Sequence, residues 1–172
     1  MPNKFVDPAL RVVLFVFLVI VLGLTASLIA DRDRTNPQVN FALFASVFGL
    51  AFGFFYGIFA AFIQFLAFPI VLVAIDFLDF VFTFAGATAL AASIRAHSCG
   101  NQEFLDHNPI TQGSGDRCRR TQAAISFLYF ACFLSIAQIV ISTLNMGASG
   151  AFTRGGRKNT TPRTGVPTMT QV

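Results

Sequence analysis

The chain has 172 residues, of which 55% are apolar and 12% charged, about half the charged share of a soluble domain. Mean hydropathy is +0.68, and 22 Phe stand beside no Trp. A soluble fold of this size has too little interior for so much apolar surface, which makes this an all-α integral membrane protein. Twelve basic against eight acidic residues leave a net charge of +4, too few charges to read as nucleic-acid binding.

Four membrane spans are predicted, forming a four-helix bundle. The first is Val12 to Ala30, 19 residues without a charge, about 28 Å of helix and enough for the hydrocarbon core. Residues 1–11, with Lys4, Asp7 and Arg11, precede it as a short polar terminus. A cleaved signal peptide is the rival reading, but the apolar run is long and no A-x-A site follows. Asn36 and Pro37 then make a turn. Phe41 to Ile75 is 35 residues without a charge, too long for one crossing. Pro69 disfavours helix in the residue before it and suits a first helical turn. The break is therefore placed near 64–69, giving a second span over 41–63 and a third over 66–94.

A hydrophilic stretch from His97 to Thr121 separates the third span from the fourth, at 123–144. Residues 145–172 are rich in Gly, Thr and Pro and lack apolar periodicity, as expected of a disordered tail. Its four basic residues, Arg154, Arg157, Lys158 and Arg163, suit anionic lipid or a cytoplasmic partner; a simply solvated tail is the plainer reading. Asn159 to Thr161 fits a glycosylation acceptor, on the wrong side for that in the topology chosen below.

Four spans place both termini on one side, and each side carries six basic residues. The positive-inside count is a tie. Cys99 and Cys118 break it. Both lie in one polar loop, and paired loop cysteines suit an oxidising compartment. They are expected to form a disulfide on the far side from cytoplasmic termini. A metal site through His97, Cys99, His107 and Cys118 is the rival, but its spacing matches no zinc pattern. Cys132 lies within the fourth span as an apolar filler.

The second span carries two opposed stripes. Gly49, Gly53 and Gly57 recur every four residues, a spacing that lets helices approach closely in lipid. Phe41, Phe44, Phe48, Phe52, Phe55, Phe59 and Phe62 fall opposite, toward lipid. The alternatives are a homo-oligomer contact or a sterol-like lipid groove.

Asp76 and Asp79 are the sharpest feature. They lie about 15 and 20 Å into the third span and share one helical face. A bare carboxylate there costs at least about 2.5 kcal/mol. No span contains a Lys, Arg or His to pair with them. They are expected to be protonated, to reach water, or to bond to Tyr56, Gln64, Tyr129, Gln138 or hydroxyls. The result is either a polar site for a headgroup, ion or proton, or a buried clasp between helices. The fourth span turns Ala124, Ala131, Ser135, Gln138 and Ser142 to one side, where Gln138 is positioned to meet an aspartate. No Ser/His/Asp spacing, phosphate loop or metal-helix motif is present, so no enzyme, metal or cofactor is expected.

Three stretches together resemble a known family: PIVLVAIDFLDFVFTF from Pro69 to Phe84; IRAHSC from Ile94 to Cys99 with ITQGSGDRCR from Ile110 to Arg119 and AAISFLYF from Ala123 to Phe130; and the end, GVPT from Gly165 with Gln171 and Val172. They are similar to the fungal non-classical export proteins, four-span proteins with a MARVEL-type domain. That resemblance implies the plasma membrane and the compartment organised by eisosomes. It also implies a role in organising that domain, a response to sphingolipid, cytoplasmic coat proteins as partners, and a part in export without a signal peptide. It identifies no lipid-contact residue. A small transporter or export channel built on Asp76 and Asp79 is the competing function.

Overall fold

A computed structural model describes residues 6–31, 36–63, 68–95 and 98–149. Among these, four helices are long and apolar enough to cross a membrane. The first, α1, is Val6–Ala30. The second crossing is composite: α2, Pro37–Phe48, continues through a π-helical segment, Gly49–Tyr56, into α3, Gly57–Phe62. The third is α4, Pro69–Ile94, and the fourth is α6, Gly115–Ser149. A short helix, α5, Gln102–His107, lies in the loop between them.

The turn chemistry sets these boundaries. Asn36 is extended and its side chain accepts a hydrogen bond from the Gln38 N–H (3.0 Å), with Pro37 opening α2 behind it. Phe68 is extended immediately before Pro69. At its other end α4 stops at Arg95, which takes a left-handed conformation with φ 47°.

Several boundaries differ from the sequence expectation: the second crossing starts at Pro37 rather than Phe41, α4 at Pro69 rather than Leu66, and α6 runs on to Ser149, past Leu144 and into the stretch expected to be a disordered tail. The two largest differences arise where helix continues through flanking charges. The fourth helix starts at Gly115, eight residues before Ala123. In its first turns Arg117 donates to the carbonyls of Ile110 (3.0 Å) and Asp31 (2.9 Å), tying α6 to the loop before it and to the end of α1. The first helix starts at Val6, not Val12, and so takes Arg11 inside the span.

The helices pack as two antiparallel hairpins, α4 lying along α6, α1 also against α6, and the second crossing between α1 and α4. Toward the loop side the core is apolar: Val21 and Leu28, Val39 and Ala42, Ala87 and Leu90, with Ala124 and Leu128. Small residues allow this closeness; a Cβ on Gly86 would already touch the Ala42 Cα at 3.6 Å. The loop side is capped by the Cys99–Cys118 disulfide, with Cα atoms 5.7 Å apart, and by the Asn108 amide donating to the Ser93 carbonyl at 2.8 Å. Cys132 is buried outside any disulfide.

Candidate functional site

The half of the bundle nearest the termini has a polar interior. Arg11, the sixth residue of α1, is 1% exposed. Its Nη1 and Nη2 fork onto the two oxygens of Asp76 at 3.2 and 3.3 Å. Nη1 also donates to the Gly53 carbonyl at 2.6 Å, and Nε to Asp7 Oδ2 at 3.2 Å. A planar guanidinium with five donors fits this set; an ammonium would not hold it. The expectation that no cation lies within a span is therefore corrected. Asp7 and Arg11 sit one helical turn apart at i, i+4, and that spacing was the available signal that helix already runs through them.

Asp76 and Asp79 are both fully buried. Asp76 Oδ2 also accepts from the Ser142 hydroxyl at 2.6 Å, while Asp79 Oδ2 accepts from the Ser135 hydroxyl at 2.6 Å. The two carboxylates thus differ. Asp76 faces a guanidinium directly; Asp79 has a hydroxyl and no ion pair. Ser135, Gln138 and Ser142 fall on one face of α6, three and four residues apart. Gln138 is fully buried, and among the described residues neither its Oε1 nor its Nε2 has a hydrogen-bond partner, nor does Asp79 Oδ1. Tyr56 is half-buried. Tyr129 approaches Thr88 instead, at 3.5 Å. Gln64 and the tail residues Arg154, Arg157, Lys158 and Arg163 lie outside the described residues.

The three glycines of the second crossing make room for side chains as much as for a helix. A Cβ on Gly57 would collide with the Arg11 guanidinium, its Cζ at 2.6 Å. One on Gly49 would collide with Asp79 Oδ1 and with Leu18 Cδ1, the latter at 2.6 Å. Gly53 differs: its Cβ would sit 3.7 Å from Asp79 Cγ, an ordinary contact, and its carbonyl is what matters. A four-residue repeat overshoots an α-helical turn by about 40° at each step. The wider π turn from Gly49 to Tyr56 takes up that drift and keeps all three positions facing Arg11 and Asp79.

This polar interior is enclosed by four apolar spans, and the membrane-associating domain called MARVEL matches residues 4–141. The chain belongs to the MARVEL family. Two relatives match over nearly the whole length. It is 48% identical over 168 residues to "Non-classical export protein 2" of Saccharomyces cerevisiae, covering 96% of this chain and 97% of that protein. It is 54% identical over 167 residues to "Non-classical export protein 102" of Candida albicans, again covering 96% and 97%. A more distant relative, "Non-classical export protein 2 homolog" of Schizosaccharomyces pombe, is 31% identical over 124 residues, 71% of this chain and 68% of its own. No solved structure matches. The MARVEL match includes Arg11, Asp76, Asp79, Ser135 and Gln138 and ends one residue before Ser142, so all of the polar interior except that hydroxyl lies within the family domain.

Proposed function

We propose that this MARVEL protein is a non-enzymatic organiser of lateral membrane domains. The compartment is the eisosome-type region of the plasma membrane, with both termini cytoplasmic and behaviour that responds to sphingolipid. A part in protein localisation and export accords with the names of its relatives. One observation carries the reading: Arg11 pairs with Asp76 and Asp79 bonds to Ser135 inside the bundle, while the outer surface of the second crossing, α4 and α6 is rich in phenylalanine beside Val, Ile and Leu. Phe44, Phe52, Phe55 and Phe59 project from the second crossing, Phe77 and Phe84 from α4, and Phe130 and Phe133 from α6. A bundle built this way acts through its outer face on membrane lipids, sterol or sphingolipid, or on a second copy. Arg154, Arg157, Lys158 and Arg163 supply the basic contact with anionic lipid or coat proteins.

The runner-up is a small transporter using Asp76 and Asp79. It is favoured by the buried, unpartnered polar atoms of Gln138 and Asp79. One experiment separates the two. The protein is reconstituted into vesicles with and without sphingolipid, and lateral clustering and ion or proton leak are both measured. Clustering that needs sphingolipid and fades when Phe52, Phe55 and Phe59 become Leu, with no leak, is the expected result. A leak abolished by Asp79→Asn while clustering persists overturns the organiser in favour of the transporter.

A further inference from the structure

The loop side carries a cleft that the organiser reading does not use. It holds about 400 Å³ between the end of α4 and α5. Arg95, His107, Ser93 and Asn108 give it polar walls, and Phe104 and Pro109 apolar ones. Among the described residues no carboxylate lines it. Asp106 on α5 is turned elsewhere, accepting from the Gln102 amide at 3.0 Å.

Three features set the chemistry of this cleft. The first is depth. The 26 residues of α4 make about 39 Å of helix, longer than the hydrocarbon core, so its end reaches the headgroup layer. The second is Arg95. It closes α4 with φ 47° and ψ 34°, a left-handed position that helices ordinarily give to Gly or Asn. Capping alone does not call for a long cation there. Backbone held in a costly region is found where a side chain must be aimed, and this one lines the cleft. The third is His107. Its Nδ1 lies 2.9 Å from the Glu103 carbonyl, which only accepts, so Nδ1 carries the hydrogen and Nε2 is the other ring position. An imidazolium there donates to an anion; a neutral ring accepts from a hydroxyl. The walls are fixed, since Asn108 ties α5 to the Ser93 carbonyl and its Oδ1 accepts from the Ile110 N–H at 2.9 Å.

We propose that this cleft binds the phosphate of an anionic membrane lipid, with Arg95 as the main contact and His107 beside it. The apolar walls take the glycerol or sphingoid end of the headgroup, and the guanidinium forks onto two phosphate oxygens. The site lies on the loop side, at the opposite end of the bundle from Arg11.

The test uses the full chain in nanodiscs of phosphatidylcholine with a minority of phosphatidylglycerol, with co-purifying lipid counted by mass spectrometry. Wild type is expected to enrich the anionic lipid, and Arg95→Asn to lose about tenfold of that enrichment, the scale of one charge-assisted contact. Asn suits the left-handed position, so Arg95→Asn keeps or raises thermal stability while binding falls, a pairing that a merely structural Arg95 does not give. Arg95→Lys retains part of the enrichment, and His107→Gln has an intermediate effect. Equal enrichment in wild type, Arg95→Asn and His107→Gln overturns the proposal. So does inorganic phosphate binding in pure phosphatidylcholine discs and displacing the anionic lipid at matching concentrations, which assigns the cleft to the free ion.

Discussion

The two ends of the bundle hold their helices together by different means. On the loop side, Val21, Leu28, Val39, Leu90 and Leu128 interdigitate around Ala42, Ala87 and Ala124, and a disulfide closes the cap. On the terminus side, Arg11 joins three of the four spans through Asp76 and the Gly53 carbonyl, with Ser142 completing the fourth. Lipid offers no hydrophobic drive for helices to associate, because its tails are as apolar as leucine. Close packing and polar bonds are the available means, and this protein assigns one to each end. Small residues serve both, for different reasons. Ala42 and Ala87 bring backbones together, whereas Gly49 and Gly57 admit an aspartate and an arginine.

The largest way to break this contrast is Asp76→Asn. It leaves the Arg11 charge buried beside a neutral amide, and removing one partner of a buried pair costs about 3–5 kcal/mol. Unfolding in a denaturing-detergent titration should show that loss, and Arg11→Met with Asp76→Leu should recover most of it. A parent-like Asp76→Asn would falsify the ion pair as the clasp of this end. Next comes the loop cap. Replacing Cys99 and Cys118 with Ala releases a loop of 19 residues' separation and is expected to cost about 3 kcal/mol. Hydrogen exchange should rise in α5 and stay unchanged around Arg11; a rise at both ends would mean that they are coupled.

The glycines sharpen the contrast at smaller scale. Gly57→Ala forces the guanidinium from its bonds and is expected to cost about 1–3 kcal/mol, in the manner of overpacking. Gly53→Ala meets only ordinary contacts and should stay close to the parent in the same titration. If Gly53→Ala proved the worse of the two, the glycines would be serving helix approach rather than side-chain room. The smallest effect is expected from Asp79→Asn. With no ion pair to lose, and with the amide oxygen still able to accept from Ser135, the change should be about 1 kcal/mol or less. A loss as large as that of Asp76→Asn would mean that the two carboxylates share the Arg11 charge.

Much of the fold was legible because lipid makes strong demands on sequence. Uncharged runs gave four spans, Pro69 marked the break before the third, and two loop cysteines pointed to each other; Pro37 reads as part of a turn although it opens α2. That Asp76 and Asp79 share one helical face was equally readable from spacing, and both are buried. What was missed shares one cause. Charge was read as the boundary of helix, so Arg11 was placed in water and the two aspartates were left without their cation. The same rule cut the first two turns from α6. The π segment left only a weak mark, a glycine every four residues, which reads equally well as an ordinary close-packing stripe. The hydroxyls of Ser135 and Ser142 were on the right face of the fourth span, but which carboxylate each would meet depends on the relative height of α4 and α6, and no single helix encodes that.

The Arg11–Asp76 pair also sets an order of events during synthesis. Its partners stand 65 residues apart in the chain. At roughly 5–20 residues per second that interval lasts about 3–13 s. Throughout it the first span lies at or in the bilayer with an arginine and no carboxylate from another helix to meet it. Only Asp7, one turn away, is at hand. The first span should therefore wait near the membrane surface, Arg11 reaching toward water, and sink to its final depth when the third arrives. Glycosylation acceptors placed in the first loop, between α1 and α2, would report this. Chains truncated before Asp76 should be modified less completely than chains extended beyond it.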